Sequence, residues 1–144
     1  KVQEEPYVIE YNVRMGDPES EAVLPRIKSD LLELLLSVSK DQLNNQQVII
    51  DNKESATVFL VSGGYPEQYE KNKEIFGLDK VSGSIVFHAG AKYEEGKVKT
   101  NGGRVIAITS MGATVKEALD KSYNSIKNIS FEKMNYRGDI GFDL

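Results

Sequence analysis

KVKTNGGRVIAITSMGATVKEALDKSYNSI, residues 97–126, contains two strand-like runs and a helix in close succession. KVKT at 97–100 and RVIAITS at 104–110 are rich in β-branched residues. Between them lies Asn101-Gly102-Gly103, whose residues tolerate the left-handed backbone that tight hairpins require. The spacing predicts an antiparallel hairpin over 97–110. Thr114 and Glu117 then form a capping box, with Thr at the N-cap and Glu three positions on. The helix behind them places Val115, Ala118, Leu119, Ser122, Tyr123 and Ile126 on one side. Strands followed at once by an amphipathic helix define an α+β unit, an antiparallel sheet with a packed helix.

TVFLVS at 57–62 and SIVFHAG at 84–90 read as further strands, the first ended by Gly63-Gly64-Tyr65-Pro66. Residues 67–80 are polar and Lys/Glu-rich. Glu94 and Glu95 beside Gly96 read as an exposed turn, and Tyr136-Arg137-Gly138-Asp139 as a docked tail. His88, the only histidine, is expected to be a hydrogen-bonded packing residue at a strand end. Upstream, SDLLELLLSVSK is leucine-rich on most sides, which predicts a buried helix with Ser29 as its N-cap and the Leu31 to Leu36 cluster as core. Pro25 interrupts or restarts the helix before it. The polar run at 40–54 divides the chain into residues 1–50 and 51–144.

Composition bounds the function classes. A chain of 144 residues buries one ordinary core or two small ones that share an interface. A formal charge of −4 supplies no basic field for nucleic acid or anionic membrane. The absence of cysteine excludes disulfides, thiolate metal sites and a Cys nucleophile, and fits the reducing cytoplasm. The longest apolar run is too short to span a bilayer. The chain opens KVQEEP, without methionine, and enters a strand-like pattern by residue 7. Such a start is expected of a piece of a longer protein that begins within a domain.

That pattern is YVIEYNVRM, residues 7–15. Tyr7, Ile9, Tyr11, Val13 and Met15 share one face of a strand; Val8, Glu10, Asn12 and Arg14 share the other. Gly16-Asp17-Pro18 then turns the chain, with Asp17 available as N-cap and Pro18 as first helical residue. Same-side residues on a strand stand roughly 6.5–7 Å apart. Glu10 and Asn12 therefore offer hard oxygen ligands in a row, suited to Mg²⁺ (or Mn²⁺) that keeps phosphate oxygens and waters. Arg14 offers a fork for a carboxylate or phosphate. The same row is equally the solvated face of an amphipathic edge strand, and spacing leaves both readings open.

Glu-x-Asn-x-Arg on such a strand resembles the ATP-grasp ligases, in which the Glu and Asn bind the magnesium ions that bridge ATP phosphates. Arg14-Met15-Gly16-Asp17-Pro18-Glu19-Ser20-Glu21 is similar to the signature of the phosphoribosylamine–glycine ligase family, with Met15 in place of its usual Leu or Phe. LPRIKSDLLELL, SGGYPEQYEK, VFHAG, TNGGRVIAITSMG and FEKMNYRGDIG resemble the closing third of that family, in order and over nearly the whole chain. The resemblance implies that residues 1–50 end an ATP-grasp lobe (a strand plus helices) and that 51–144 form the α+β closing domain.

It further implies a ligase of purine biosynthesis that joins glycine to 5-phosphoribosylamine at the expense of ATP, through glycyl phosphate. Glu10 and Asn12 would hold metal. Arg14 would hold the glycine carboxylate or the acyl phosphate, and Asp17 the glycine ammonium or the attacking amine. Asp17 as a plain N-cap remains an equal alternative. Arg104 would bind the ribose 5-phosphate, with the Asn101 turn as an anion nest and Lys99 adding charge. Gly64 would bring backbone close to substrate, or simply make a tight turn. Neither a Gly-rich phosphate loop nor an adenine pocket is present, so the upstream domains of the same protein are expected partners and the piece alone is expected to be inactive. Another ATP-grasp carboxylate ligase or carboxylase, and a non-catalytic binding module over residues 51–144, are the competing readings.

Overall fold

In the computed structural model, residues 7–11 and 13–143 are described. The centre is a three-stranded antiparallel sheet of β1 (Glu54–Val61), β5 (Arg104–Gly112) and β2 (Ile85–His88), in the order β1-β5-β2. β5 is the middle strand, which is why its run from Val105 to Ser110 is buried throughout. β1 alternates as an outer strand should: Ala56, Val58 and Leu60 are buried, while Thr57, Phe59 and Val61 stand half-buried on the other face. α3 (Val115–Ile126) covers the first face, burying Ala118, Leu119 and Ile126 against Val58, Leu60, Ile106 and Ile108.

Thr114 caps α3, its side chain accepting from the Glu117 N–H at 3.2 Å. The Glu117 carboxylate reaches back to the Ala113 N–H at 2.8 Å. The Lys121 ammonium, and after it that bond, hold the Glu117 carboxyl below its ordinary range. Hydroxyls satisfy the helix–sheet contact where small side chains bring the backbones close. Ser122 Oγ donates to Ser110 Oγ at 2.9 Å, and Ser84 Oγ lies 2.7 Å from both Ser110 Oγ and Ser125 Oγ.

The hairpin expected over 97–110 does not form. β4 (Lys97–Thr100) pairs with β3 (Ala91–Glu94) in a separate two-stranded sheet, and β5 pairs with β1 and β2. The turn that closes the hairpin is Glu95-Gly96, both with positive φ (53° and 79°). Asn101-Gly102-Gly103 instead carries the chain between sheets. Gly102 packs closely against Gly90 there, where a side chain on Gly90 would strike the Arg104 carbonyl, and Ser62 takes the Gly102 and Gly103 carbonyls at 2.8 Å each. The local chemistry of Asn-Gly-Gly suits a turn of either kind; the partner strand decides which.

The first fifty residues differ more. Residues 7–11 and 13–15 belong to no strand, and Ile9 and Val13 are each 95% exposed. Alternation alone does not make a strand without a neighbouring ladder to take its N–H and C=O groups. α1 (Glu19–Val23) has Pro18 at its N-cap with no side-chain cap, so Asp17 does not serve there. The Glu19 carboxylate accepts from the Gly16 N–H at 2.8 Å in its place. Leu24–Arg26 is a 3₁₀ turn, after which Ile27 is extended.

α2 (Leu31–Ser39) is capped by Asp30, whose carboxylate accepts from the Glu33 N–H at 3.0 Å. Ser29 is not the cap; its hydroxyl bridges the Gln47 carbonyl and the Ile49 N–H. The helix is not core. Leu34 and Ser37 are buried, but Leu32 and Leu35 are 65% and 60% exposed. A helix apolar on most sides needs neighbours all round, and these residues supply them on one side.

The segment 67–74 is tied to the C-terminal run by ion pairs. Glu70 bonds to Lys73 and Lys133, and Lys73 also reaches Glu132. The two ammonium groups bring the Glu70 carboxyl from 4.5 down to about 2. A carboxylate whose folded pKa lies below its unfolded one stabilises the fold above the unfolded value, and that contribution is lost as pH falls through the folded value. Between about pH 4.5 and pH 2, urea-unfolding midpoints should therefore fall more steeply for the native chain than for Glu70→Gln. Parallel curves would sink this assignment.

Candidate functional site

The site builds outward from the Gly16 corner. Ser20 bonds back to the Gly16 carbonyl through both its N–H (3.1 Å) and its hydroxyl (2.6 Å). Ser55 Oγ on β1 donates to the Ala22 carbonyl at 2.7 Å, fixing α1 beside the sheet. This places Asp17 within reach of Arg104 at the start of β5. Arg104 Nη1 donates to the Asp17 carbonyl at 2.9 Å, and Nη2 donates to Asp17 Oδ2 at 2.8 Å. The guanidinium carbon lies 5.4 Å from the centroid of the Phe59 ring, a cation–π contact. Gly103 supports this arrangement, since the Tyr65 ring lies where its Cβ would be.

Two adjoining clefts meet at this pair and share Pro18 and Thr57 in their walls. One, of about 520 Å³, is lined by Glu10, Arg14, Asp17, Glu19 and Ser55 among others. The other, of about 440 Å³, is walled mainly by apolar and aromatic groups, including Phe59, Tyr65, Tyr136 and Ile140, with Arg104 and Arg137 as its cations. Arg137 is forked onto Asp139 at 2.9 Å through Nε and through Nη2, which raises the guanidinium pKa above its ordinary value.

Glu10, Arg14 and Asp17 thus share one cleft, and Arg104 joins them through Asp17. Arg14 is exposed and donates from Nη1 to the Met15 carbonyl at 3.0 Å. Asn12 lies outside the described residues. Among the described residues no group of three or more His, Cys, Asp or Glu gathers to hold a metal. A hard cation that keeps phosphate oxygens and waters needs only one or two protein oxygens, and the Glu10 carboxylate in the cleft fits that demand.

Other candidates fall elsewhere. Lys99 is turned into its own hairpin, bonded to Glu94 at 2.9 Å and Glu95 at 3.4 Å. Glu94 chiefly, opposed by partial burial, raises the Lys99 ammonium pKa. Gly64, at φ 94°, makes a tight turn in which any side chain would strike the Gln68 carbonyl. Asn101 is exposed, its N–H donating to the Gly90 carbonyl at 2.7 Å. His88 is exposed rather than packed and has no side-chain partner among the described residues. The tail docks as expected: Tyr123 Oη donates to the Arg137 carbonyl and accepts from the Ile140 N–H.

Phe59 and Arg137 are cleft walls that the sequence did not mark, whereas Tyr65 belongs to the Gly63-Gly64-Tyr65-Pro66 loop already singled out. The alternation of TVFLVS places Phe59 opposite the buried Val58 and Leu60, a signal for its face but not for what it lines.

Fold and cleft together define the class: an α+β domain beside an N-terminal arm whose carboxylates and guanidinium group line an open polar cleft. Residues 55–143 match the family model described as phosphoribosylglycinamide synthetase, C domain, and the chain belongs to that family. A phosphoribosylamine–glycine ligase of Caldanaerobacter subterraneus is 42% identical over 96% of this chain and 33% of that relative. A bifunctional purine biosynthetic protein of Pichia angusta is 46% identical over 94% of this chain and 18% of its own length. The crystal structure of phosphoribosylamine–glycine ligase from Thermotoga maritima superposes with a TM-score of 0.74 at 33% identity, over 94% of this chain and 33% of that one. The chain therefore spans about a third of the length of the ligases it matches. No helix among the described residues is long and apolar enough to cross a membrane.

Proposed function

We propose that this chain is the acceptor-side C-terminal part of a cytoplasmic ATP-dependent ligase that joins glycine to 5-phosphoribosylamine. The observation that carries the reading is the gathering of Glu10, Arg14 and Asp17 in one cleft, with Arg104 joined to them through Asp17. Glycine's carboxylate takes the γ-phosphoryl group of ATP to give glycyl phosphate; the amine of phosphoribosylamine then attacks the acyl carbon and releases phosphate. Arg14 binds the glycine carboxylate and follows its charge onto the acyl phosphate oxygens, a task its planar fork suits. Asp17 accepts hydrogen bonds from the glycine ammonium or the incoming amine. Arg104 holds the ribose 5-phosphate.

Glu10, with Asn12, would hold Mg²⁺ or Mn²⁺ on the triphosphate. Such a cation neutralises phosphate charge. Residues 1–50 would close an ATP-grasp lobe and 51–144 would form the closing domain. The remaining strands and helices of that lobe would pair with the 7–15 arm and cover the exposed leucines of α2.

Grafting tests the assignment. With this chain in place of the corresponding third of the Caldanaerobacter ligase, ATP hydrolysis should depend on both glycine and phosphoribosylamine. The chain alone should turn nothing over. A graft that folds but hydrolyses ATP with bicarbonate in place of glycine would favour a carboxylase. A folded graft with no acceptor-dependent hydrolysis would remove the ligase reading.

A further inference from the structure

Arg104 is already gripping an anion. Its two Nη groups bond to the Asp17 carbonyl and carboxylate at 2.9 and 2.8 Å, the forked arrangement by which arginine also holds phosphate. The two halves of this pair are held unequally. Arg104 is rooted in the central strand, lies over Phe59 and is 35% exposed, whereas Asp17 stands on the open corner at 56%. Among the described residues no other carboxylate pairs with Arg104, and Arg137 in the same cleft is held by Asp139. Half-exposed pairs of this kind are weak and open to competition by dissolved anions. Each partner also lines a different cleft.

We propose that Asp17 is an internal competitor for a phosphate monoester at Arg104. A phosphate group entering the aromatic-walled cleft takes the guanidinium fork and releases both the Asp17 carbonyl and the Asp17 carboxylate. The freed carboxylate then serves the neighbouring cleft, where Glu10 and Arg14 stand, as acceptor for an ammonium or amine group. The Gly16 corner stays in place during the exchange, because Glu19 and Ser20 hold it by bonds that do not involve the Asp17 side chain. Arrival of the phosphate end of a substrate is thereby coupled to the readiness of a carboxylate for its amine end. This rests on the ligase reading and adds to it an order: Arg104 is filled before Asp17 acts.

The test is titration of the 144-residue chain with ribose 5-phosphate, inorganic phosphate and ribose, followed by NMR of the arginine Nε–H and backbone amide signals. Ribose 5-phosphate and phosphate should shift the Arg104 signal, and ribose should not. Asp17→Asn should bind both anions about three- to fivefold tighter, the range expected on removing an exposed ion-pair competitor. Asp17→Ser should reproduce the gain if Asn perturbs the corner. Arg104→Gln should abolish binding with or without Asp17→Asn.

Unchanged or weaker binding in both Asp17 variants overturns the proposal. So does binding that survives Arg104→Gln, or no binding in any form. An inactive ligase graft alongside an intact Asp17→Asn gain would remove the ligase reading and leave the anion exchange standing. An active graft without the gain would do the reverse.

Discussion

Leu60→Ala should cost about 3–4 kcal/mol of folding stability, whereas Leu35→Ala should cost no more than about 0.5 kcal/mol. The substitutions remove the same atoms from opposite environments. Leu60 has no exposed surface and sits in β1 between Ile106, its partner on β5, and the underside of α3. Truncation there forfeits the transfer energy of the side chain and opens a cavity walled by a strand ladder that cannot collapse freely. Leu35 is 60% exposed on α2, and water already touches most of what would be removed. Urea unfolding of both variants against the native chain gives the comparison, with the m-value as a check that the unfolding unit is unchanged. Equal losses would mean that the leucine helix is core after all.

That contrast marks where sequence reading held and where it ran out. The α3 cap was legible because every partner in it lies within four residues: Thr114, Glu117 and Ala113 answer one another locally. The burial of Ala118, Leu119 and Ile126 followed from helical period alone. Pairing was a different matter. Asn101-Gly102-Gly103 has hairpin chemistry, yet the ladder formed across Glu95-Gly96, because strand choice depends on neighbours distant in sequence. The buried-helix expectation for α2 failed because hydrophobicity reports the demand for burial and not the presence of a partner. Asp17 and Arg104 were each legible as candidates, but no local rule joins residues 87 positions apart. What the fold added was their contact, and with it a reason for Asp17 to be absent from the helix cap that was one of its two readings.

Arg14→Ala in the grafted ligase should lower kcat/KM for glycine by about 10²–10³-fold, the loss typical of removing one group that stabilises developing oxyanion charge. The side chain is exposed in its cleft and, among the described residues, bonds only to its neighbouring Met15 carbonyl. The fold therefore does not need it, and circular dichroism and thermal midpoint should be those of the parent graft. The division of the loss between kcat and KM tells what the guanidinium does. Holding only the glycine carboxylate would raise KM and leave kcat alone; following the charge onto the acyl phosphate lowers kcat as well, and that is the expected result. Arg14→Lys should recover only a small part, because an ammonium keeps the charge but not the two-point fork. Activity within twofold of the parent graft would leave Arg14 as one more solvated side chain on an amphipathic arm, and the acceptor clamp would have to be sought elsewhere in the two clefts.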